Sequence, residues 1–289
     1  MKKNICTLAL MMAIWMPLHA QPAEAITKGK ELFGDMRARH IGPALMSGRI
    51  TDMELHPTND RVMYAGTAGG GVWKSTNGGA TFNPIFDDYC QSIGAVEIDP
   101  SSPDNVVWVG TGETWTRNSV SVGDGLYKTI DGGSNWIKMG FEKSEHISGI
   151  QVNPKNPNEV YVAALGPLWS DSEERGLYKT TDGGKTWNKI LYVDKTTGAS
   201  DLTLDPKDPN IVYVAFWQVR RMPWAFNSGG VNSALYKSTD GGQDLRQDSQ
   251  RIPCRKTWAD GDCCCSFKYE YSLHSYRIRT RQGQGHVSQ

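Results

Sequence analysis

Hydrophobic and polar residues alternate over short stretches along most of the chain, and turn-forming residues separate these stretches. Residues 147–152 alternate in this way, Asn153-Pro154-Lys155-Asn156-Pro157-Asn158 then turns the chain, and residues 160–163 return it. Alternation with a period of two is typical of β-strands, and clusters of Pro and Asn between two such stretches favour a hairpin. The same unit recurs in three other places, at residues 50–64, 93–109 and 202–214. The pattern predicts an all-β protein of antiparallel strands.

A short phrase follows each of these hairpins and is repeated four times. It reads Gly-Val-Trp-Lys-Ser at residues 71–75 and recurs with small changes at residues 125–129, 176–180 and 234–238. A turn with two glycines follows each phrase, and we call these four segments the glycine turns: residues 76–79, 130–133, 181–184 and 239–242. Four strands in each repeat of roughly fifty residues are typical of a β-propeller blade. The sequence therefore predicts blades near residues 49–88, 92–142, 146–195 and 198–242.

The glycine turns resemble the Asp-box, also called the BNR repeat. An Asp or Asn side chain can accept backbone N–H groups across a tight turn, while the glycines supply positive φ angles. We therefore expect a structural role, rather than catalysis or metal binding, for the polar turn residues and the aromatic residues that follow them: Asn77, Asp131, Asp182, Asp240, Phe82, Trp136 and Trp187. We expect Trp73, Trp136 and Trp187 to lie in the core.

The N-terminal segment has the layout of a secretory signal peptide. Lys2 and Lys3 precede an apolar stretch at residues 5–18, and Leu18-His19-Ala20 allows cleavage before Gln21. The other interpretation is a buried N-terminal helix. We favour the signal peptide (residues 1–20), followed by a lead-in segment (residues 21–48), and predict a secreted or periplasmic protein with no membrane span after cleavage. The formal net charge is zero, with 21 Lys and Arg against 26 Asp and Glu in residues 21–242, so we expect no nucleic-acid partner.

The repeat pattern breaks off directly after the two glycines of the fourth glycine turn. Residues 243–289 carry four of the six cysteines, three of them adjacent, but no C-x-x-C pair, which argues against a zinc site. When degenerate codons of this segment are read from the second base, Gln243-Asp244-Leu245-Arg246-Gln247 can become Lys-Thr-Phe-Asp-Lys, a regular end for the turn. Two later stretches also regain the repeat pattern in the same register. We predict that residues 243–289 result from a frameshift, are not native sequence and are disordered or unpacked from about Gln243. We expect no metal and no cofactor, and we expect Cys90 to be a buried free thiol.

Residues 39–242 resemble secreted bacterial proteins of the sortilin-like propeller family, which are often labelled BNR-repeat glycosyl hydrolases. The resemblance depends on residues 40–44, 47–50, 66–74 and 110–113. It implies a β-propeller, and a glycosyl hydrolase label for the family. Related xyloglucanases carry a Thr-Asp-x-Gly-Gly phrase whose Asp resembles a catalytic base, and Ala68 occupies that position here. Because glycosidases normally use a pair of carboxylates, this difference argues against hydrolysis.

The loops between the second and third strands of the blades are the candidate binding surface. They open on the face opposite the glycine turns, at residues 111–123, 166–175 and 217–233. Aromatic, cationic and acidic side chains there suit a sugar ring or a peptide: Glu113, Trp115, Arg117, Trp169, Glu173, Glu174, Trp217, Arg220, Arg221 and Trp224. The other interpretation is that these tryptophans pack between blades.

Three interpretations of the function are open. The one we favour is a non-catalytic recognition propeller that binds glycan or peptide. The second is a glycoside hydrolase with carboxylates that the sequence does not identify. The third is a truncated product without function, because four repeats without a closing partner expose both edges.

Overall fold

Antiparallel strands make up the regular structure of this protein in the computed structural model, which describes residues 49–117 and 119–248. The predicted all-β fold is confirmed in this part of the chain. Within the same residues, no helix has the length and apolar character needed to cross a membrane. The predicted leader (1–20), the lead-in segment (21–48) and most of the predicted frameshifted segment (249–289) lie outside the described residues.

Four sheets follow one another along the chain, and we call them blades 1 to 4. Blade 1 comprises β1 (Ile50–Leu55), β2 (Met63–Thr67), β3 (Val72–Ser75) and β4 (Asn83–Pro84). Blade 2 comprises β5 (Ile93–Ile98), β6 (Val107–Thr111), β7 (Leu126–Thr129) and β8 (Ile137–Lys138). Blade 3 comprises β9 (Ile147–Val152), β10 (Val160–Ala164), β11 (Gly176–Thr180) and β12 (Asn188–Leu191). Blade 4 comprises β13 (Thr197–Leu204), β14 (Val212–Met222), β15 (Ala225–Ser228), β16 (Ala234–Ser238) and β17 (Arg246–Gln247).

Consecutive strands pair in every blade, as expected for hairpins with short turns. In blade 3, Val162 of β10 pairs with Ile150 of β9 on one side and with Tyr178 of β11 on the other. All five residues of β10 are buried. A strand in an isolated sheet would show one buried and one solvated face, so burial on both faces indicates that blades pack against both sides of blade 3.

Apolar cores lie between neighbouring blades. Tyr64 and Val72 of blade 1 share a cluster with Val96 and Val109 of blade 2. Equivalent clusters join blade 2 to blade 3 and blade 3 to blade 4. The fit between blades 2 and 3 is close enough to need glycine, because a Cβ at Gly110 would lie 2.4 Å from the Ile147 side chain. The blades therefore depend on one another for a dry core, as stacked repeats do.

The four glycine turns share one hydrogen-bond pattern. In blade 3, the Thr180 hydroxyl accepts the N–H groups of Asp182 and Gly184, at 3.2 and 3.1 Å, and donates to the Asp182 carboxylate at 2.7 Å. That carboxylate also accepts the N–H groups of Lys185 and Thr186, at 2.9 and 3.0 Å. The same contacts surround Asp240. Asn77 and Asp131 share them except that each accepts one backbone N–H group beyond the glycines, from Thr81 and Asn135.

These turn contacts favour the charged form of the aspartates. Hydrogen bonds, chiefly from the side chain of Asn135, lower the pKa of Asp131 to about 2. Hydrogen bonds also lower the pKa of Asp182, with Thr186 as the main donor, and that of Asp240, with Ser238 as the main donor. Within the described residues, each of these aspartates accepts hydrogen bonds from backbone and side-chain groups of its own turn.

The structure corrects several details of the prediction. Trp136 is buried, but Trp73 and Trp187 are only half-buried, and so is the free thiol of Cys90. Trp136 and Trp187 hold equivalent positions, just before the outermost strands of their blades, and both pack against the core shared with the preceding blade. The two tryptophans therefore differ only in how far that core covers them. Phe82 is half-buried in the same way.

Blade 4 continues beyond Gly242, where the repeated sequence pattern ends. β17 pairs with β16 through Gln247 opposite Tyr236, and Leu245 packs against the core shared by blades 3 and 4. Leu245 takes the place of the aromatic residue of the other turns. The expectation that the chain is unpacked from Gln243 onwards is therefore wrong for residues 243–248. The frameshift itself stays a prediction.

Candidate functional site

The loops opposite the glycine turns lie at one end of the blades, and we call this end the loop face. It contains residues 112–117 and 119–125 of blade 2, residues 165–175 of blade 3 and the hairpin formed by the outer half of β14 with β15 in blade 4. This hairpin corrects the prediction of a loop at residues 217–233. Trp217, Arg220 and Arg221 lie within β14, and Arg220 pairs with Asn227 of β15.

The three segments of the loop face contact one another and form a continuous surface. Leu165 and Leu168 of blade 3 form a buried cluster with Val219 of blade 4, and Val120 of blade 2 and Trp217 pack against it. The loops are therefore held together by a small apolar core of their own, separate from the cores between the blades.

Polar contacts add to the junction between blades 3 and 4. The backbone N–H of Arg221 donates to the carbonyl oxygen of Leu168 at 2.8 Å. Asp171 accepts the Arg220 guanidinium at 2.8 Å and pairs with the Lys195 ammonium at 3.1 Å. Arg220, one of the predicted ligand-binding residues, thus forms an ion pair with a carboxylate of the neighbouring blade.

The predicted tryptophans of the loop face divide into two groups. Trp115, Trp169 and Trp224 are 56%, 49% and 82% exposed, each on a loop of a different blade. Trp217 is half-buried and packs edge-on against Phe226, with 6.0 Å between the ring centroids. Packing against the loop core accounts for Trp217. It does not account for the other three, which present large apolar surfaces to solvent.

Glu113 is the buried carboxylate of the loop face. It is 1% exposed and forms ion pairs with Arg49, at the start of β1, and with Arg117, at 3.8 Å. Its backbone N–H donates to the Ser92 hydroxyl at 3.0 Å. A buried carboxylate needs such partners because an unpaired charge is costly to desolvate. Glu113 and Arg117 were predicted from the sequence, whereas Arg49 was not.

Ala68 lies close to this ion pair. Its backbone N–H donates to the carbonyl oxygen of Arg49 at 3.0 Å, and its side chain is buried. The position that carries an aspartate in the resembling phrase of xyloglucanases therefore offers only a methyl group here.

Arg175 stabilises the loop of blade 3 by hydrogen bonds to backbone carbonyl groups. Its side chain is fully buried, and its guanidinium donates to the carbonyl oxygens of Lys195 at 3.0 Å and Ser170 at 3.3 Å, as well as to those of Leu165 and Pro167. Burial lowers the pKa of Arg175 to about 10. Arg175 precedes a repeated phrase in a segment rich in charged residues, so no sequence pattern indicated that it is buried.

Two further titratable residues on the loop face, Glu145 and His146, were missed by the sequence interpretation. The Glu145 backbone has a positive φ of 58°, and its carbonyl oxygen accepts the Gly123 N–H at 2.7 Å. A Cβ at Gly112 would lie 1.8 Å from that carbonyl oxygen, so the backbones beside Glu113 and at Glu145 are in contact. Burial raises the pKa of Glu145, and the charge of Arg175 opposes this rise.

The other two predicted carboxylates lie towards the outer strand of blade 3. Glu173 is exposed, and its carbonyl oxygen accepts the Lys189 ammonium. Glu174 is half-buried, and its carbonyl oxygen accepts the Tyr178 hydroxyl at 3.0 Å. In the described part of the chain, no three His, Cys, Asp or Glu residues are grouped as metal ligands.

The sequence model of the Sortilin-Vps10 family, described as sortilin, neurotensin receptor 3, matches residues 124–278 of this chain. The match covers more than half of the chain. The chain belongs to the Sortilin-Vps10 family. The match also extends beyond Gly242 into the segment for which we predict a shifted reading frame.

Curated relatives of this Sortilin-Vps10 family chain include several xyloglucanases. The chain is similar to the xyloglucanase of Hypocrea jecorina, with 26% identity over 234 residues, which cover 72% of this chain and 25% of the relative. It is also similar to the dispase autolysis-inducing protein of Streptomyces mobaraensis, with 30% identity over 165 residues, covering 55% of this chain and 41% of the relative. The chain thus spans about a quarter of the length of the xyloglucanases that it matches.

Solved structures with a similar fold include two GH74 enzymes. An ancestral GH74 enzyme superposes with a TM-score of 0.53 at 18% identity, covering 70% of this chain and 25% of that enzyme. The GH74 enzyme of Niastella koreensis superposes with a TM-score of 0.50 at 24% identity, covering 68% and 28%. The predicted β-propeller architecture is confirmed by these similarities.

Proposed function

We propose that this Sortilin-Vps10 family chain is a secreted recognition propeller that binds carbohydrate on its loop face. The observation that carries the proposal is the exposure of Trp115, Trp169 and Trp224 on loops of three successive blades. The loops that carry them are joined by the apolar core of the loop face and by ion pairs at Glu113 and Asp171. Such a rigid base supports the proposal, because a pre-formed surface loses little conformational entropy on binding.

The chemistry of a sugar ring fits these side chains. The C–H faces of pyranose rings are apolar and can stack on an indole, while their hydroxyl groups need charged or polar partners at the rim. Arg117 beside Trp115 and the Arg220–Asp171 pair beside the blade 4 hairpin are such partners. Of the two ligand classes that the sequence left open, glycan and peptide, we favour the glycan because the curated relatives include xyloglucanases.

A binding role fits the chain better than hydrolysis. Ala68 supplies no carboxylate where the xyloglucanase phrase has one, and the Glu113 carboxylate is occupied by Arg49 and Arg117. Inverting and retaining glycosidases both need one carboxyl group to donate a proton and a second carboxylate on the other side of the bond.

Binding to soluble xyloglucan oligosaccharides tests the proposal. Wild-type protein is titrated by calorimetry beside the variants Trp115→Ala, Trp169→Ala and Trp224→Ala. Truncation of an aromatic anchor typically costs more than about 1–2 kcal/mol, so each variant should bind roughly tenfold more weakly or worse. The matched control is Ile130→Ala, which removes an exposed apolar side chain in a glycine turn, at the opposite end of blade 2. Equal affinity of all four variants and wild type, or no binding at all, would reject the proposal.

The second candidate function is glycoside hydrolysis by a different carboxylate pair. Glu145 favours it, because a carboxyl group whose pKa is raised by burial resembles a general acid, and its backbone contacts the residue beside Glu113. Release of reducing sugar by wild type and its loss in both Glu145→Gln and Glu113→Gln would establish an enzyme. The absence of turnover in a protein that binds the oligosaccharide supports the recognition role.

A further inference from the structure

Two arginines of the loop face share one buried carboxylate, and we call this group the Glu113 cluster. Arg49 and Arg117 both pair with Glu113, and their own side chains are 38% and 52% exposed. Burial, and then the charge of Arg117, lowers the pKa of Arg49, so the two cations lie close enough to repel each other. Within residues 49–117 and 119–248, neither guanidinium pairs with another carboxylate. The cluster therefore carries one positive charge in excess, and its exposed part is cationic.

A second group of the same composition joins blades 3 and 4, and we call it the Asp171 cluster. Asp171 pairs with the Lys195 ammonium at 3.1 Å and with the Arg220 guanidinium at 2.8 Å. A hydrogen bond from Lys195, and then the charges of Lys195 and Arg220, lower the pKa of Asp171, so its carboxyl group is ionised at neutral pH. Asp194, which precedes Lys195, accepts hydrogen bonds from neutral side chains instead. In the part of the chain that the structure describes, this cluster thus also has two cations for one carboxylate.

Each cluster lies beside an exposed tryptophan of the loop face. Trp115 lies midway between Glu113 and Arg117 in the chain, in the short segment that their ion pair closes. Trp169 lies two residues before Asp171, in the loop that contacts blade 4. A ligand that stacks on either indole therefore meets exposed cations whose charge is only partly neutralised.

A sugar with a carboxylate group matches this arrangement better than a neutral sugar does. A neutral oligosaccharide can stack on the indoles, but it leaves the excess positive charge of both clusters unpaired. A carboxylate on the ring neutralises that charge and can accept two parallel N–H groups from a guanidinium. The protein carboxylates already hold the cations in place, so binding orders few additional side chains.

We propose that the glycan bound on the loop face carries carboxylate groups, as uronic acid units do. Arg117, together with Arg49, binds a carboxylate beside Trp115. Arg220, together with Lys195, binds a second carboxylate beside Trp169. This inference rests on the proposed carbohydrate-binding function and specifies the class of glycan.

Calorimetric titration with tetragalacturonic acid and with its fully methyl-esterified form tests the proposal. Esterification removes the charge of the ligand and keeps its sugar rings. At neutral pH and low salt, wild type should bind the acid about tenfold or more tightly than the ester, because charge-assisted hydrogen bonds are the stronger ones. This preference should shrink as sodium chloride is added, because salt screens exposed charges.

The variants Arg117→Gln and Arg220→Gln each remove one cation and leave the protein carboxylate paired with the other. In each variant, the ratio of acid to ester affinity should fall about tenfold, while the ester should still bind and so report a folded loop face. The matched control is Arg61→Gln, which makes the same change at an exposed arginine whose carbonyl oxygen accepts the Gly78 N–H of a glycine turn, at the opposite end of blade 1. This control should keep the wild-type ratio.

The outcomes separate this inference from the function on which it rests. Equal affinity of wild type for the acid and the ester would overturn the inference and leave carbohydrate binding intact. An unchanged ratio in Arg117→Gln or in Arg220→Gln would also overturn it, as would equally tight binding of tetraglutamate, which has carboxylates but no sugar ring. If the acid, the ester and the xyloglucan oligosaccharides all fail to bind, the proposed function and this inference are both wrong.

Discussion

His146 should make the protein less stable under mildly acidic conditions. Its side chain is 1% exposed at the start of blade 3, and burial lowers its pKa to about 4, with a smaller contribution from the charge of Arg175 and an opposing one from the Gly112 backbone. The ordinary value is 6.5. Between these two values, the unfolded chain binds a proton that the folded chain does not bind, so acidification favours unfolding.

The size of the effect follows from the shift. Each pKa unit corresponds to about 1.4 kcal/mol, so a shift from 6.5 to about 4 gives roughly 3 kcal/mol of stability that is present above the ordinary pKa and is lost by about pH 4. Carboxylates also titrate near the acidic end of this range. The effect is therefore measured as a difference between wild type and His146→Gln, which keeps a polar side chain but has no charge to gain.

Urea unfolding followed by tryptophan fluorescence at about pH 7, about pH 5.5 and about pH 4 gives the free energies of unfolding. The wild type should lose about 3 kcal/mol more than His146→Gln between the two extremes. Equal losses in both proteins, or an imidazole that titrates near its ordinary pKa in the NMR spectrum of the folded protein, would refute the reasoning.

Three further predictions concern the blades and the gene. Trp136→Ala should destabilise the protein by about 3–5 kcal/mol in the same urea assay, because it empties a buried site and removes the hydrogen bond to Ile85, and a loss below about 1 kcal/mol would contradict the packing described. The turn aspartates have lowered pKa values, so the stability they contribute is fully present above the ordinary pKa of 3.8 and is lost as the pH falls towards about 2. In this pH range, the melting temperature of the triple variant Asp131→Asn, Asp182→Asn, Asp240→Asn should therefore change less with pH than that of the wild type. An equal change in both proteins would contradict this prediction. Resequencing of the gene should reveal a base insertion or deletion near the codon of Gln243, and an uninterrupted frame through Cys263–Cys265 would end the frameshift prediction.

The repeated phrases made the blades predictable from the sequence. The alternation around residues 147–152 and the return strand at residues 160–163 correspond to β9 and β10 of the structure. Strand pairing is local in such a meander, so each hairpin can be inferred from its own turn residues. The length of β14 was not predictable, because its continuation to Met222 depends on pairing with β15 and on contact with Leu168 in another blade.

The candidate site was only partly predictable. The sequence singled out Trp115, Trp169 and Trp224 because they lie beside charged residues in the loops between second and third strands. It could not separate them from Trp217, which the loop core covers. The burial of Arg175 depends on carbonyl groups up to twenty residues away in the chain, and no local pattern reports that. For the same reason, the sequence did not suggest that a turn residue such as Glu145 would become half-buried.

Fluorine NMR of protein labelled with 5-fluorotryptophan reports where on the protein the ligand binds. Each tryptophan resonance is assigned by single substitution, and xyloglucan oligosaccharide is added. We predict that the resonances of Trp115, Trp169 and Trp224 shift together with one saturation curve, while those of the buried Trp108 and Trp136 stay in place. Saturable shifts confined to tryptophans away from the loop face, such as Trp73 and Trp187, would contradict it.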